Sequence, residues 1–380
     1  MLYLALLPVL IWLYLMLGHG GFWLVGRLLS TDDPHAAVPA RVVAVIPARN
    51  EAAVVGRAVQ SLLGQDFSGH LHIVVVDDAS SDGTAEVVRA AATQAAAAER
   101  VTVIPGTGPD PGWSGKVCAM ARGVAAAGAL QPDYLLFTDA DIHHQPDNVA
   151  NLVANARRLQ SDLLSSMVRL TVSNAAERWL IPAFVFFFLK LYPPAWIASA
   201  TAATAGAAGG CMLVRPAALE RAGGLAAIRA AIIDDCSLAR IIKRAGGRVS
   251  LGLTRRAHSL RPYGSSAEIG RMISRTAFNQ LQHSWLLLLG TLLGLGVTYL
   301  LPPLLLFSGS AAASAAGLVA WALMSLCYAP MVRFYGLNPL WALTLPAAAA
   351  FYAGATVHSA WLYRCGRGGQ WKGRAQDSRG

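Results

Sequence analysis

Charged residues are scarce in this sequence of 380 residues, since Asp, Glu, Lys and Arg together make up 14% of it. Soluble proteins carry about 25%. The deficit is concentrated, because none of the four residue types occurs from Ser284 to Val332. A hydrophobic share of 55% together with this charge-free stretch excludes a disordered chain, a fibrous protein and a purely soluble enzyme. The composition therefore indicates a membrane protein with a sizeable water-soluble part.

Cysteine is also rare and scattered. The sequence has five cysteines and no CxxC pair, which argues against a disulfide framework and a zinc site and favours a reducing compartment for the soluble part. The net charge of +10 is not gathered in a basic patch interleaved with aromatic residues. We therefore expect no nucleic-acid partner.

Basic charge accumulates at the C-terminus. Residues 364–380 contain five Lys or Arg side chains and one acid, Asp377. A basic segment that follows an apolar one usually lies on the cytoplasmic leaflet, where anionic lipids attract it. We expect this basic tail to contact a bilayer with anionic lipids.

Two terminal regions are apolar enough to enter a bilayer. Residues 1–29 are either a signal peptide or an anchor, and they lack a basic start and a convincing cleavage site. This favours a retained transmembrane anchor. Residues 284–363 contain three candidate spanning segments. If all three cross fully, the basic tail and a cytosolic catalytic part lie on opposite sides, against the positive-inside rule, so the sequence leaves the number of crossings open.

A third apolar stretch, about residues 179–197, is interrupted by Pro182, Lys190 and two further prolines. These interruptions make a poor spanning helix. They favour an interfacial segment in the plane of the membrane, where Trp and Tyr are enriched. The alternative is a proline-broken hydrophobic loop in the core of the soluble domain.

The region at 41–283 alternates strand and helix patterns. The apolar runs that predict strands are Val42–Ile46, Leu71–Val76, Val101–Ile104 and Tyr134–Thr138. Helical spacing separates these runs, which is typical of an α/β fold with a doubly wound, mainly parallel sheet covered by helices. Ligands of such sheets bind at the carboxyl ends of the strands.

Paired acids stand at two of these strand ends. Asp77 and Asp78 follow the second run, and Asp139 and Asp141 follow the fourth as an Asp-x-Asp. Rigid carboxylates that face a cleft suit a hard divalent cation, Mg²⁺ or Mn²⁺, which can bridge a diphosphate. The sequence therefore predicts a metal site at Asp139 and Asp141.

Other nucleotide-binding motifs are missing. The turn after the first strand reads Ile46-Pro-Ala-Arg-Asn-Glu51 and has no G-x-G-x-x-G, and the residues around Gly115 do not complete a P-loop. Both absences argue against the corresponding nucleotide-binding folds. His143 and His144 follow the acidic pair closely, and we expect them to be loop residues rather than further metal ligands.

Five motifs follow one another in a recognisable order. They are Pro47-Ala-Arg-Asn50-Glu51, Asp77-Asp78-Ala-Ser-Ser-Asp82-Gly83-Thr84, Gly115-Lys116-x-x-Ala119, Asp139-x-Asp141 and Asp234-Asp235-x-x-Leu238. In this order they resemble family 2 glycosyltransferases over about residues 41–281. The membrane-bound hopene-associated glycosyltransferases are the most similar group, through Gly112-Trp-Ser-Gly-Lys116, Ile233–Ala239, Arg275-Thr-Ala-Phe278 and Trp371-Lys-Gly-Arg374. The resemblance implies a GT-A fold, inverting transfer and an NDP-sugar donor, for which we expect a UDP-sugar.

The resemblance also implies roles for the first two motifs. Pro47, Asn50 and Glu51 would line the nucleotide pocket. Asp77 or Asp78 would contact the base. From the residues alone, Glu51 also suits a helix N-terminus, and Asp77 suits the stabilisation of a turn.

For the later motifs, the resemblance brings Lys116 to the nucleotide and lets Asp139 and Asp141 hold the diphosphate through the metal. Asp235 matches the base that deprotonates an acceptor hydroxyl, although an Asp at a helix start is often only a cap. Arg275 stands where related enzymes carry Gln-x-x-Arg-Trp, and it either contacts the diphosphate or snorkels at the membrane surface. The Trp of that motif is missing, which puts processive polymerisation in doubt.

Together these observations predict a membrane-bound, metal-dependent hexosyltransferase that moves a sugar to the hydroxyl of a lipid, hopanoid-like by resemblance. The alternative is a transferase that acts on polyprenyl phosphate, an anionic acceptor that hardly needs a base. A silent scaffold or transporter subunit would leave the acidic cleft without a purpose, and His358 is its only plausible intramembrane ionisable residue. We expect a multi-pass protein of the inner (cytoplasmic) membrane with a cytosolic catalytic domain.

Overall fold

A β-sheet covered by helices adjoins a group of apolar helices in this computed structural model, which describes residues 2–25, 39–367, 370–371 and 374–375. The strands of the sheet are β1 Arg41–Ala48, β2 His70–Asp78, β3 Val101–Gly106, β4 Tyr134–Thr138, β5 Ile142–His144, β6 Leu163–Arg169, β7 Cys211–Val214 and β8 Val249–Ser259. Two short strands, β9 Gln370–Trp371 and β10 Arg374–Ala375, pair with each other. The last residues of the predicted anchor, 26–29, and most of the basic tail lie outside the described residues.

Fifteen α-helices occur within these described ranges. They are α1 Leu2–Leu17, α2 Val55–Leu63, α3 Thr84–Gln94, α4 Gly115–Gly128, α5 Asn148–Arg158, α6 Ala175–Leu191, α7 Pro194–Ala198, α8 Pro216–Arg221, α9 Asp234–Arg244, α10 Ser266–Ser274, α11 Ala277–Gln280, α12 Trp285–Leu295, α13 Leu301–Leu305, α14 Ala311–Phe334 and α15 Leu345–Arg364. A π-helical turn, Gly296–Leu300, joins α12 to α13.

The sheet is mixed, which corrects the expectation of a mainly parallel sheet. Its strand order is β3-β2-β1-β4-β7-β6-β8-β5. Four neighbouring pairs are parallel and three are antiparallel. The four strands that the sequence pattern identified form the parallel half. The correction comes from β7, which enters antiparallel between β4 and β6, and from the edge strand β5.

Alternating side chains place a separate core on each face of the sheet. In β1, Val43 and Val45 contribute to one core, and Val42, Ala44 and Ile46 contribute to the other. This division follows from the two-residue period of a strand, and both faces are apolar because helices cover both. The strand ends therefore remain the accessible edge of the sheet.

Within the described part of the chain, four helical segments are long and apolar enough to cross a membrane, namely 175–198, 285–305, 311–334 and 339–364. Among them, α6 runs without a break through Pro182, where the sequence predicted an interruption, and it ends before the Pro193-Pro194 pair as expected. It continues through Pro182 because Leu180, Ile181 and Ala183 around it are buried.

One core continues from the sheet into the apolar helices. It joins Val43 and Phe137 of the sheet with Phe186 of α6, Tyr328 of α14 and Tyr352 of α15. The outer faces of these helices expose large apolar side chains, for example Leu286 at 78% and Leu326 at 60%. Exposed apolar surface on this scale is typical of helices that meet lipid.

Candidate active site

The end of β4 and the start of α4 bring an acidic and a basic side chain together. Asp139 follows the buried β4 directly, and Lys116 is the second residue of α4. Lys116 Nζ lies 2.9 Å from Asp139 Oδ1 and 3.2 Å from Asp234 Oδ2, with 18% of its side chain exposed. Burial alone would lower the pKa of Lys116, but the carboxylates of Asp139 and Asp234 outweigh it and raise the pKa. The ammonium is therefore firmly charged.

A second cation holds the other acid of the Asp-x-Asp. Arg261 Nε lies 3.5 Å from Asp141 Oδ2, and Arg261 also pairs with Glu51. Ser259 Oγ donates a hydrogen bond of 3.4 Å to the same Asp141 oxygen. Burial and the neighbouring Asp139 raise the pKa of Asp141, and Arg261 opposes this shift. Arg261 thus links the end of β8 to the ends of β1 and β4.

Asp235 lies next to this cluster in the first turn of α9. Its Oδ2 accepts a hydrogen bond of 2.9 Å from the Gly209 N–H, and its Oδ1 accepts one of 2.7 Å from the Cys236 N–H. Burial and the neighbouring Asp234 raise the pKa of Asp235 to about 6, against the opposing effect of Lys116. A carboxylate with this pKa is ionised at pH 7 and still basic enough to take a proton.

Two cavities meet at these residues. One has a volume of ≈ 710 Å³ and a largely polar wall that includes Pro47, Glu51, Asp141, Arg261 and Tyr263. The other has a volume of ≈ 370 Å³, and apolar helices supply much of its wall, including Phe184, Phe187, Phe188, Tyr192 and Tyr352. The residues common to both walls are Lys116, Asp139, Ile232, Asp234, Met272 and Arg275.

Asp235 lies on the wall of the apolar cavity, and Asp141 lies on that of the polar cavity. A molecule that fills the polar cavity and one that fills the apolar cavity would therefore meet beside Asp139, within reach of Asp235. The arrangement suits the transfer of a group from a polar donor to an apolar acceptor.

The predicted metal pair fits a divalent cation by its chemistry. Asp139 and Asp141 offer only carboxylate oxygens to the polar cavity, and Mg²⁺ and Mn²⁺ are commonly held by one or two carboxylates with substrate phosphate oxygens. In the part of the chain that the structure describes, no group of three or more His, Cys, Asp or Glu side chains is placed to hold a metal alone. These acids would therefore bind the cation together with a ligand that supplies further oxygens.

Residues 43–223 match the sequence model of glycosyl transferase family 2. The match covers just under half of the chain, so it shows a segment similar to this family. The matched stretch contains Lys116, Asp139 and Asp141 and ends before Asp235. The predicted α/β fold is confirmed, with the mixed sheet as its correction.

Two known proteins show how far the likeness of the chain to such enzymes extends. An N-acetylglucosaminyltransferase of Rhizobium leguminosarum bv. viciae is 29% identical over 137 residues, which are 36% of this chain and 30% of that protein. The match thus spans less than a third of that relative. A mannosyltransferase of Pyrobaculum calidifontis, solved in complex with GDP-Man and Mn²⁺, is 20% identical with a TM-score of 0.59. The alignment covers 95% of this chain and 99% of that one, and it shows a shared fold.

Asn50, predicted to line the nucleotide pocket, and Asp77 and Asp78, one of which was predicted to contact the base, lie in the turn between β2 and α3 or beside it. Asn50 Oδ1 accepts a hydrogen bond of 2.9 Å from the Ser81 N–H, and Asp77 Oδ1 accepts one of 3.1 Å from the Ser80 N–H. Asp78 is buried. None of these three lines the wall of either cavity. The contacts of Asn50 and Asp77 stabilise the turn.

His143 and His144 lie on strand β5, which corrects their expected place in a loop. His144 is buried; its Nε2 lies 3.1 Å from Thr138 Oγ1 and its Nδ1 lies 2.8 Å from Asn148 Nδ2. Because Thr138 Oγ1 donates to the Gly210 carbonyl, it accepts from Nε2–H, which assigns a neutral imidazole to His144. Burial lowers the pKa of His144 to about 3, so the imidazole stays neutral. Its hydrogen bond to Thr138 supports the end of β4 just before Asp139.

The sequence analysis missed several residues of the site. Arg261 lies just after the end of β8, and a basic residue at a strand end was the available signal. Tyr192 and Gln280 form a hydrogen bond of 2.5 Å on the wall of the apolar cavity, from segments far apart in the sequence. No local pattern indicates that α6 and α11 meet there.

Proposed function

We propose that this protein is a membrane-bound, metal-dependent, inverting glycosyltransferase that moves a sugar from an NDP-sugar to the hydroxyl of a lipid. One observation carries the proposal: Asp139 and Asp141 face a polar cavity, and Asp235 faces an adjoining apolar one. The shared wall would hold the anomeric carbon between the two. The hopanoid-like acceptor and the UDP-sugar donor are inferred from the resemblance of the sequence motifs to the family.

The polar cavity would take the donor. Asp139 and Asp141 would hold Mg²⁺ or Mn²⁺, which supplies positive charge to the diphosphate leaving group. Lys116 and Arg275 border the same space and would add charge-assisted hydrogen bonds to phosphate oxygens. Pro47, at the end of β1, is part of the wall expected to receive the nucleoside.

Asp235 would act as the general base on the acceptor side. The backbone N–H groups of Gly209 and Cys236 fix its carboxylate, so that it can face an incoming hydroxyl in one orientation. It would take the hydroxyl proton while the oxygen attacks the anomeric carbon opposite the leaving diphosphate. Attack from the opposite side inverts the configuration at that carbon.

The charges around the apolar cavity favour a neutral acceptor over polyprenyl phosphate. Its wall contains three acidic side chains, Asp139, Asp234 and Asp235, and two cationic ones, Lys116 and Arg275. Lys116 is already paired with two of those acids. A phosphate acceptor would therefore meet more negative than positive charge, and a lipid hydroxyl would meet a base that it needs.

Contacts of the apolar helices support a membrane topology in which the segment 339–364 lies along the membrane interface and does not cross the bilayer. The Tyr335 carbonyl, at the end of α14, accepts a hydrogen bond of 3.0 Å from Arg169 Nη2 of the sheet domain. At the other end, Tyr363 stacks on His283 at 4.1 Å, just before α12 begins. Both ends of this segment thus contact parts of the chain next to the catalytic domain, so the basic tail would follow on the cytosolic side.

Cys365 provides a test of this topology, because it is exposed and the other four cysteines are buried. We expect a membrane-impermeant maleimide to label Cys365 in inside-out vesicles and in permeabilised spheroplasts, but not in intact spheroplasts. A Cys365→Ser variant is the control for specific labelling. Labelling in intact spheroplasts would contradict the interfacial arrangement.

The transferase proposal is tested with the purified full chain in lipid nanodiscs. NDP release is measured with UDP- and GDP-sugars, a hydroxylated hopanoid, polyprenyl phosphate and Mg²⁺ or Mn²⁺. We expect turnover with the hydroxyl acceptor, loss of it with chelator, and loss of it in Asp235→Asn. Turnover with polyprenyl phosphate alone, unaffected by Asp235→Asn, would favour the alternative acceptor.

A further inference from the structure

A hydrogen-bonded pair of side chains interrupts the apolar part of the wall of the apolar cavity. Tyr192 follows α6 and Gln280 ends α11, and Gln280 Nε2 donates a hydrogen bond of 2.5 Å to Tyr192 Oη. Both residues line this cavity together with Phe184, Phe187 and Leu191, and neither lines the polar cavity. A lipid chain gains nothing from hydrogen-bonding groups, so the pair points to a polar part of the acceptor at this place.

The tyrosine of this pair is closely confined. A Cβ added at Gly206 would lie 2.7 Å from Cγ and Cδ1 of the Tyr192 ring, so the ring packs directly on the bare backbone of Gly206. Phe188 also packs on the ring, with the two ring centroids 5.1 Å apart. Together with the hydrogen bond from Gln280, these contacts fix the position of the Tyr192 hydroxyl.

The pair keeps unused hydrogen-bonding capacity. Because Tyr192 Oη accepts from Gln280, the tyrosine hydroxyl still has its hydrogen to donate, and Gln280 Oε1 can still accept. Among the described residues, neither of these groups hydrogen-bonds to a further oxygen or nitrogen atom, and the Tyr192 hydroxyl lies beside the Cys236 thiol, which is a weak partner. A hydroxyl of a ligand is both a donor and an acceptor, so it matches both groups.

We infer that Tyr192 and Gln280 form a subsite for a second hydroxyl of the lipid acceptor, beside the hydroxyl that reacts. The inference rests on the proposed function and narrows its acceptor to lipids with two neighbouring hydroxyls. The reacting hydroxyl gives its proton to Asp235, whereas the hydroxyl held by Tyr192 and Gln280 keeps its proton and forms no bond to the sugar. Cys236 directly follows Asp235, so the subsite lies next to the base. The second hydroxyl thus orients the first one toward Asp235.

The test compares two lipid alcohols that differ by one hydroxyl, hexadecan-1-ol and hexadecane-1,2-diol, with the full chain in lipid nanodiscs and saturating nucleotide sugar. NDP release gives KM for each alcohol, and competition with a hydroxylated hopanoid gives an inhibition constant where an alcohol is not glycosylated. In Tyr192→Phe and Gln280→Leu, we expect the preference for the diol to fall about tenfold relative to the wild type, which is the size of one neutral hydrogen bond. The affinity for the nucleotide sugar should not change, because neither residue lines the polar cavity. Both alcohols enter the nanodisc to the same extent with every variant, so a changed preference comes from the protein.

Tyr352→Phe is the matched control, because Tyr352 lines the same cavity but its hydroxyl donates to the Leu180 carbonyl at 2.9 Å. It should keep the wild-type preference for the diol. The inference is overturned if Tyr192→Phe and Gln280→Leu both keep a preference within about twofold of the wild type, well below the effect of one hydrogen bond, or if Tyr352→Phe loses the preference equally. If no hydroxyl lipid is glycosylated at all, the proposed function fails; transfer to a hydroxyl lipid with an unchanged preference in the variants overturns this inference alone.

Discussion

Replacing Asp235 by Asn should remove the base and leave the donor site intact. Asn has nearly the same shape and can still accept the hydrogen bond from Gly209, but it cannot take a proton. Asp235 does not lie on the wall of the polar cavity, so the affinity for the nucleotide sugar should change little. The expected effect is therefore on turnover.

The size of the effect follows from general-base catalysis, which contributes about 10²–10⁴-fold to a rate. This corresponds to about 3–5 kcal/mol of transition-state stabilisation. The pH dependence follows from burial and Asp234, which raise the pKa of Asp235 to about 6. Only the ionised form is a base, so kcat/KM should fall as the pH drops through 6, and at pH 5 roughly one tenth of the molecules remain active.

The assay measures NDP release between pH 5 and 8 with saturating donor, alongside donor binding and thermal unfolding. Asp133→Asn is the control, because Asp133 is an exposed acid just before β4, at the end of the strand away from the cleft. It should keep the wild-type rate and profile. The reasoning is refuted if Asp235→Asn keeps more than about a tenth of the rate, or if its residual activity shows the same acidic fall as the wild type.

Three further changes test the donor side, the acceptor side and the scaffold. Asp139→Asn should weaken Mn²⁺-dependent nucleotide binding by at least about tenfold in a calorimetric titration, because it removes a charged ligand of the metal; unchanged binding would contradict the metal assignment. Phe187→Asp should raise KM for the lipid acceptor and leave donor affinity unchanged, since it places a charge in the apolar cavity; an equal loss of both would indicate a general disruption. His144 stays neutral in the fold with a pKa near 3, so the unfolded chain gains a proton first as pH falls below 6.5. Stability should decline by up to about 2 kcal/mol from pH 6.5 to 5 through this residue, and His144→Gln should flatten that part of the thermal-unfolding profile.

Local patterns sufficed to predict where the acids that line the polar cavity lie in the fold. Each acid of the Asp-x-Asp directly follows an apolar run, and a strand fixes the direction of the residues that follow it. The same logic located the start of α4 and the helix that begins at Asp234. The signal is local, because strand periodicity and the adjoining acid lie within about ten residues.

The apolar cavity could not be predicted in this way. Phe187, Tyr192 and Gln280 come from α6 and α11 and meet only through the packing of apolar helices, whose sequences are hydrophobic on every side and carry no directional pattern. The antiparallel direction of β7 was missed for a related reason. β7 is a short, fully buried run, and its antiparallel direction depends on how the chain returns after α7, which no local pattern specifies.

The walls of the polar and the apolar cavity are nevertheless fixed to each other by one buried carboxylate. Glu177, in the first turn of α6, accepts a hydrogen bond of 2.5 Å from the Tyr263 N–H and one of 2.6 Å from the Ser173 N–H. Tyr263 borders the polar cavity, and the same helix supplies Phe187 to the apolar one. Because one acid joins the start of an apolar helix to the segment after β8, the two cavities keep a fixed relation across the change from aqueous to apolar surroundings. A base at Asp235 would need this fixed geometry, because it can take a proton only from a group within hydrogen-bond distance.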